Sequence, residues 1–498
     1  MFDPNRFTET FAKTLANKPL RLSDYAILVK SEHSGRYVVA HGYSGFIEEV
    51  DKCTFAWLES GLAGSAPSSS MRMSLLKNGV LTFKTEEKEK GFVKSIIGDH
   101  FNETRANSRS SVTVILSYDC NFRCTYCTQR HTQLKGQDHL DLAMTDEVMD
   151  SAFEFIENSN APHVTLFGGE PFLPYDNHQR RVRRFFEGVK ALGLNVSVVS
   201  NGHDWIEYAD IFDSGLIRNI QVTIDGPRAV HDLRRVQKQG IGSFDKIMDN
   251  IGWGLDRGVA ISARINVDYT NIEELQQLTQ IFNERKFYFR GDFSAYLAPV
   301  QGNGFYKKEK LFGFQEMYLR MMDSHTRSCL TEENNETLFN YDYLPGLRLE
   351  LEELLSKKTR LRYKFSYCGA YTSLAVLDPF GRIYPCWDFV DNLDHQIGEF
   401  HPKVVYNDVV TDLWRGRDRE VLQKDCLSCP YVLLHGSGCQ AEAYRQTGKY
   451  WERNCEDFPF QFDLAVKAAL GDVDIRGRDL AMPSLDCSSC QCNAGSCD

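Results

Sequence analysis

The stretch Val112-Thr-Val-Ile-Leu-Ser117-Tyr-Asp-Cys120-Asn-Phe-Arg-Cys124-Thr-Tyr-Cys127 decides how this chain is read. Its first half is an apolar, β-branched run and predicts a strand. Its second half places three cysteines in a loop directly after that strand. The carboxyl ends of strands are where α/β sheets and barrels put their chemistry. A four-iron cluster ordinarily takes four thiolates, so three leave one iron open to a ligand from outside the protein. A zinc knuckle is the alternative. It needs a fourth ligand, and His131 is near enough in sequence to supply it.

Working outward, strand-like runs recur at Val112–Ser117, His163–Phe167, Asn195–Ser200, Asn219–Ile224, Val259–Val267 and Phe293–Leu297. Helical periodicity falls between them, at Thr145–Glu157 with Thr145 as N-cap, at Ser243–Leu255 and at Ile272–Phe282. Alternating strands and helices predict a parallel sheet. The second strand ends in Phe167-Gly168-Gly169-Glu170-Pro171, where glycines allow close backbone approach to a ligand and Glu170 can accept from a cationic amine. Ser200-Asn201-Gly202 ends the third strand, and Ile224-Asp225-Gly226-Pro227 follows the fourth, with His231, Asp232, Arg234 and Arg235 close behind. Arg264 and Asn266 lie within the fifth, and an arginine in a buried strand needs an anionic partner.

These segments together resemble the radical S-adenosylmethionine (SAM) enzymes, with Tyr126 matching the aromatic residue that precedes their last cysteine. The resemblance covers roughly residues 110–460. It implies an α/β fold, a partial (β/α)6 radical SAM barrel over 109–300. It implies that Cys120, Cys124 and Cys127 hold a [4Fe-4S] cluster whose open iron chelates SAM. Reductive cleavage of SAM then gives a 5′-deoxyadenosyl radical that abstracts hydrogen. Tyr126, Gly168, Gly169, Glu170, Pro171, Ser200, Asn201, Asp225, Arg264 and Asn266 become the candidate SAM-binding residues, with the GGEP element on the SAM ammonium and Arg264 on the carboxylate.

The second cysteine-rich region, 366–470, holds Cys368, Cys386, Cys426, Cys429, Cys439 and Cys455, with Gly381 before Cys386. It is similar to a SPASM domain, the auxiliary-cluster module of radical SAM peptide maturases. That similarity implies two auxiliary [4Fe-4S] clusters, one on Cys368, Cys386 and Cys439 and one on Cys426, Cys429, His435 and Cys455. His435 stands where the family usually has a cysteine, and the first set lacks a clear fourth ligand. Asp388 lies two residues after Cys386 and is a candidate catalytic base. In sulfatase-maturing relatives the aspartate follows directly, whereas here Trp387 intervenes.

Residues 1–108 lack cysteine chemistry. Two strands, Tyr25–Lys30 and Arg36–His41, helices near 48–61 and 69–77, and a hairpin signal at Asn78-Gly79 resemble an N-terminal winged-helix-like α+β domain that grips leader peptides. A structural cap on the barrel is the alternative. Residues 301–365 predict a helical bridge, and 471–498 form a Cys-rich tail that is either flexible, its thiols binding stray metal, or a substrate, substrate mimic or thiolate donor to the first auxiliary cluster. Arg180, Arg181, Arg183 and Arg184 make a basic helical face, solvated or docking an acidic peptide. Cys53 and Cys329 read as lone thiols.

Net charge is −11, which disfavours general nucleic-acid binding. No signal peptide or membrane-spanning run is present in the sequence. Fifteen cysteines, mostly clustered, read as metal ligands in a reducing, cytoplasmic setting. The expected function is a radical SAM maturase modifying a ribosomally made peptide or protein, forming a thioether or other crosslink. A reductant such as flavodoxin or ferredoxin would be its partner, with no nucleic acid and no membrane. A sulfatase maturase making formylglycine is one alternative. An iron-sulfur peptide-binding or redox-sensing protein without SAM turnover is the other.

Overall fold

A computed structural model describes residues 19–31, 34–107, 110–302, 306–307, 310–322 and 345–471. The extreme amino terminus, Cys329 and the tail at 484–498 lie outside these described residues, as does part of the 301–365 bridge.

Fifteen strands are described. Five belong to the N-terminal region: β1 (Arg21–Leu22), β2 (Ala26–Lys30), β3 (Tyr37–His41), β4 (Ile47–Val50) and β5 (Leu81–Thr82). Six follow: β6 (Ser111–Ile115), β7 (Val164–Phe167), β8 (Val196–Ser200), β9 (Ile217–Thr223), β10 (Ile261–Val267) and β11 (Phe293–Pro299). These pair in parallel in chain order, β6 beside β7 through to β10 beside β11. Most of these strands are rich in Val and Ile because a parallel sheet covered by helices buries both faces. Val114, Leu166, Val198, Ile220, Ala263 and Leu297 join one core with the covering helices. The helix Asp146–Ser159 starts where sequence places it. Thr145 accepts from the Val148 N–H at 3.4 Å, and Asn160 ends the helix in the left-handed region, φ 54°.

The parallel sheet does not stop at β6. Strand β12 (Leu374–Leu377) adds to its outer edge in parallel, and β13 (Arg382–Tyr384), β14 (Gly398–Glu399) and β15 (Val405–Tyr406) continue antiparallel. The cysteine-rich C-terminal region is therefore hydrogen-bonded to the strand that carries the Cys120 loop. Within 301–365, helices are described at Phe314–Met322 and Pro345–Lys357.

The N-terminal region forms a three-stranded sheet, β2-β3-β4, with helices Lys52–Glu59, Ser69–Lys77 and Glu86–Asn107. Two sequence expectations change here. Residues 47–50 are a strand rather than the start of a helix, because Asp51 caps the helix behind them and accepts from Thr54 N–H at 2.8 Å. Asn78-Gly79 is not a hairpin turn. Asn78 ends the preceding helix, Gly79 takes φ +85°, and β5 pairs instead with distant β1. The signal was the αL glycine that also closes helices.

This region packs mainly on the C-terminal one. Ile27, Val29 and Ala40 share a core with Leu351, Phe462 and Val466. Tyr25, Tyr43 and Ile97 share another with Leu422, Cys426 and Leu433. It thus packs against Cys426 and Cys429.

Candidate cluster and cofactor site

The three-cysteine loop leaves β6 through a fixed turn. Asp119 N–H donates to Ser117 Oγ at 3.0 Å and Cys120 N–H to Asp119 Oδ1 at 2.9 Å. Lys238 Nζ reaches the same Asp119 oxygen at 2.8 Å. Cys124 is buried, and Cys120 and Cys127 are partly so. Burial pushes all three thiols up, Cys127 to about 12. A metal must displace those protons, since thiolate is the ligand form. His131 is engaged elsewhere, with Nε2 on the Val390 carbonyl at 2.8 Å. The zinc knuckle's candidate fourth ligand therefore has one ring nitrogen committed elsewhere.

Gly168 and Gly169 both take positive φ, 92° and 46°. Their neighbour is the cysteine loop itself: a Cβ on Gly169 would stand 2.0 Å from the Asp119 carbonyl oxygen, and one on Gly168 2.4 Å from Ile115 Cγ2. Glu170 N–H donates to that carbonyl at 2.8 Å. The Glu170 carboxylate accepts from Phe172 N–H at 2.9 Å, Ser200 Oγ at 2.7 Å and Asn201 N–H at 2.6 Å. Its side chain is 1% exposed. Burial outweighs these donors and raises its pKa to about 7. Pro171 O accepts from His178 Nε2 at 2.9 Å. Asn201 donates to Asn121 Oδ1 at 2.7 Å, tying the third strand's end to the cysteine loop.

Asp225 is fully buried. Its carboxylate accepts from Tyr126 Oη, from Arg234 Nε at 3.4 Å and from Asn266 N–H at 3.3 Å. Asn266 Nδ2 donates to Tyr126 Oη at 3.2 Å and its Oδ1 accepts from Arg264 Nε at 2.9 Å. Thus Tyr126, Asp225, Arg264 and Asn266 form one chain of contacts, with Asp225 at its hub. Among the described residues no carboxylate pairs with Arg264, which leaves its charge for an anionic group.

The residues fit a cluster and its ligand. Four side-chain atoms around the loop are buried with no hydrogen-bond partner among the described residues: Gln129 Nε2, Thr132 Oγ1, Gln133 Oε1 and Arg235 Nε. Buried polar groups ordinarily find partners, and here orphans gather where three thiols do. Gln129 Oε1 also accepts from Gly169 N–H at 3.0 Å. Sequence reading missed Gln129, Asn121, Asp268 and Asn271. Asp268 pairs with Arg234 at 2.9 Å, and Asn271 donates to the Asp225 carbonyl at 2.7 Å. Gln129 stands two residues after Cys127, which was the available signal. On the basic helical face Arg183 pairs with Asp210, Arg184 with Asp150 and Arg181 with the Met144 carbonyl, while Arg180 is exposed and 3.6 Å from Asp146.

The C-terminal cysteines lie within electrostatic reach of one another. Cys386 feels the charges of Cys439 and Cys368, and Cys426 those of Cys429 and Cys455. A glycine turn gathers the segments. Gly436 packs on the Ser366–Tyr367 backbone and Gly438 on the Asn454 carbonyl, so the approach of 366–368, 436–439 and 454–455 leaves no room for a side chain. His435 is buried, its ring stacked on Phe458 at 4.5 Å and edge-on to Tyr367. Asp388 lies on the turn after Cys386 and pairs with Arg445 at 3.2 Å. Cys53 is exposed.

The chain matches the model of the radical SAM superfamily over residues 114–280. It is 23% identical over 347 residues to a cysteine-type anaerobic sulfatase-maturating enzyme of Clostridium novyi, covering 65% of this chain and 86% of that protein. It is 24% identical over 261 residues to an S-adenosylmethionine-dependent nucleotide dehydratase of Psychrobacter lutiphocae, covering 49% and 82%. The solved structure of native anSMEcpe with bound AdoMet superimposes with a TM-score of 0.51 at 18% identity, covering 72% of this chain and 98% of that one, and so shares the fold. No described helix is long and apolar enough to cross a membrane. Residues 114–280 are a radical SAM domain, which makes this chain an enzyme that uses S-adenosylmethionine and a [4Fe-4S] cluster.

Proposed function

We propose that this enzyme is a maturase that modifies a side chain of a ribosomally made peptide or protein by hydrogen abstraction, with two auxiliary clusters in its C-terminal region. One observation carries the reading. The region that holds the C-terminal cysteines is joined to the catalytic sheet by the β12–β6 pairing, and tight glycine turns at Gly436 and Gly438 bring its segments 366–368, 436–439 and 454–455 together. The alignment with sulfatase-maturating enzymes supports it, running over 347 residues and so well beyond the domain match.

Cys120, Cys124 and Cys127 would hold the SAM cluster. Cys368, Cys386 and Cys439 would hold the first auxiliary cluster, and Cys426, Cys429, His435 and Cys455 the second. When bound, SAM and the reduced cluster supply the 5′-deoxyadenosyl radical. The chain's own residues do the positioning. Gly168 and Gly169 bring the second strand's loop onto Asp119, Glu170 fixes Ser200 and Asn201, and the Asp225 hub aims Tyr126 and Asn266. Arg264 would offer a cation to the SAM carboxylate. Asp388, held by Arg445 beside Cys386, is the proton acceptor in this scheme. The N-terminal winged domain would grip the substrate's leader, an electron-transfer protein such as flavodoxin or ferredoxin would reduce the clusters, and the setting would be cytoplasmic.

Formylglycine formation is the second reading, favoured by the names of the aligned relatives. The test is anaerobic: reconstitute the clusters, count iron, add dithionite and SAM, and assay 5′-deoxyadenosine with and without candidate peptides. Nucleoside formation that is lost in Cys124→Ala supports the proposal. A crosslinked product separates it from formylglycine formation, which appears as an aldehyde. No nucleoside from an iron-replete protein rejects both and leaves a binding or redox role.

A further inference from the structure

The segment after the helix Arg228–Arg234 runs antiparallel alongside the cysteine loop. Arg123 N–H donates to the Val236 carbonyl at 2.6 Å, Thr125 N–H to Arg234 at 3.1 Å, and Lys238 N–H to Asn121 at 2.9 Å. Phe122 bridges Gln237. In this register Arg235 stands directly opposite Cys124, in a non-hydrogen-bonded pair. Such pairs bring cross-strand side chains closest together.

The Arg235 side chain occupies that face. Its Nη1 donates to Tyr126 Oη at 2.9 Å, and its guanidinium lies 5.7 Å from the Phe122 ring centre. It is therefore flanked by the residues two before and two after Cys124. Only 7% of Arg235 is exposed, and its Nε has no partner among the described residues. The neighbouring Asp225 carboxylate is engaged by Arg234 and Tyr126.

We propose that Arg235 is a positioning residue that acts through Cys124, its buried charge raising the reduction potential of the cluster held by Cys120, Cys124 and Cys127. This rests on the cluster reading given above. Reduction adds one negative charge to the cluster. A fixed cation beside one thiolate, shielded from solvent ions, favours that state. Arg234 is excluded from the role because Asp268 and Asp225 take its charge.

The test is a redox titration of the reconstituted protein followed by electron paramagnetic resonance, reading the reduced signal that changes when SAM is added. Arg235→Gln is expected to lower the equilibrium constant for reduction about tenfold, a shift of about 59 mV for one electron, with iron content unchanged and Tm somewhat lowered by the loss of the buried bond to Tyr126. Arg235→Lys keeps the charge and is expected to stay within about threefold of the parent protein. Should the Gln variant fail to load iron, Arg235→Met retains the stem against Phe122 and carries no donor. A neutral variant that loads fully and titrates like the parent overturns the proposal, as does a Lys variant that shifts as far as the neutral ones. A parent protein with no SAM-responsive signal overturns the cluster reading itself, a separate outcome.

Discussion

The carboxylate of Glu170 and the backbone N–H of Asn201 meet at 2.6 Å, so the GGEP loop is bolted to the end of the next strand. The other oxygen of Glu170 takes Ser200 Oγ and Phe172 N–H. A glutamine there presents an amide donor to the Asn201 donor, and the buried N–H loses its acceptor. That costs about 1–3 kcal/mol. Glu170→Gln is expected to lower Tm and to weaken SAM binding about tenfold or more. Calorimetric titration with SAM checks this, and parent-like affinity with parent-like Tm would remove Glu170 from both roles.

Gly169 is required for a different reason. At φ +46° a Cβ would sit 2.0 Å from the Asp119 carbonyl oxygen, which is backbone and cannot swing aside. Gly193 shares the positive φ, 70°, yet a Cβ there meets nothing within 4 Å. Gly193→Ala should cost about 1 kcal/mol, the left-handed penalty alone. Gly169→Ala must also push the cysteine loop outward, and is expected to lose more than half of the iron bound at the SAM cluster. Iron analysis and Tm on the pair of variants separate strain from collision.

The barrel was legible because its signals are local. Val112–Ile115 reads as a strand from β-branching alone, and Thr145 announces its helix by capping chemistry. What could not be read is set by distance in sequence. The pairing of β12 with β6 joins residues more than 250 positions apart, and nothing in Leu374–Leu377 names its partner. The same holds for Arg235, whose register against Cys124 depends on where the Arg228–Arg234 helix ends. The Asn78-Gly79 misreading has a physical origin, because one αL glycine serves both a hairpin and a helix end, and only packing chooses.

Two auxiliary clusters in the C-terminal region, as proposed, predict separable losses of iron. Cys386→Ala and Cys426→Ala are each expected to remove about four irons, one cluster. Tyr25→Phe is a finer probe, since the Tyr25 hydroxyl donates to Leu427 O, between Cys426 and Cys429. It should perturb the spectrum that Cys426→Ala abolishes and leave the SAM-responsive signal untouched. A Tyr25→Phe spectrum identical to the parent would mean that the N-terminal domain does not sense that site.

His41 gives the N-terminal domain an acid limit. It is fully buried, bonded through Nε2 to Ser23 Oγ at 3.0 Å and through Nδ1 to Ser44 Oγ at 2.9 Å. Burial, helped by Lys84, lowers its pKa to about 3. The unfolded chain takes up the proton near pH 6.5, so between about 6.5 and 3 it binds more protons than the folded one. Stability contributed by neutral His41 is therefore present above pH 6.5 and is lost as pH falls, with a slope of up to about 1.4 kcal/mol per pH unit. His41→Asn cannot titrate. At pH 8 it should be less stable than the parent by about 1–3 kcal/mol, from the broken hydroxyl contacts. That gap should close as the pH is brought down to 5. Denaturation curves of both proteins at pH 8, 6.5 and 5 decide it, and a gap that stays constant would show that His41 does not set the acid limit.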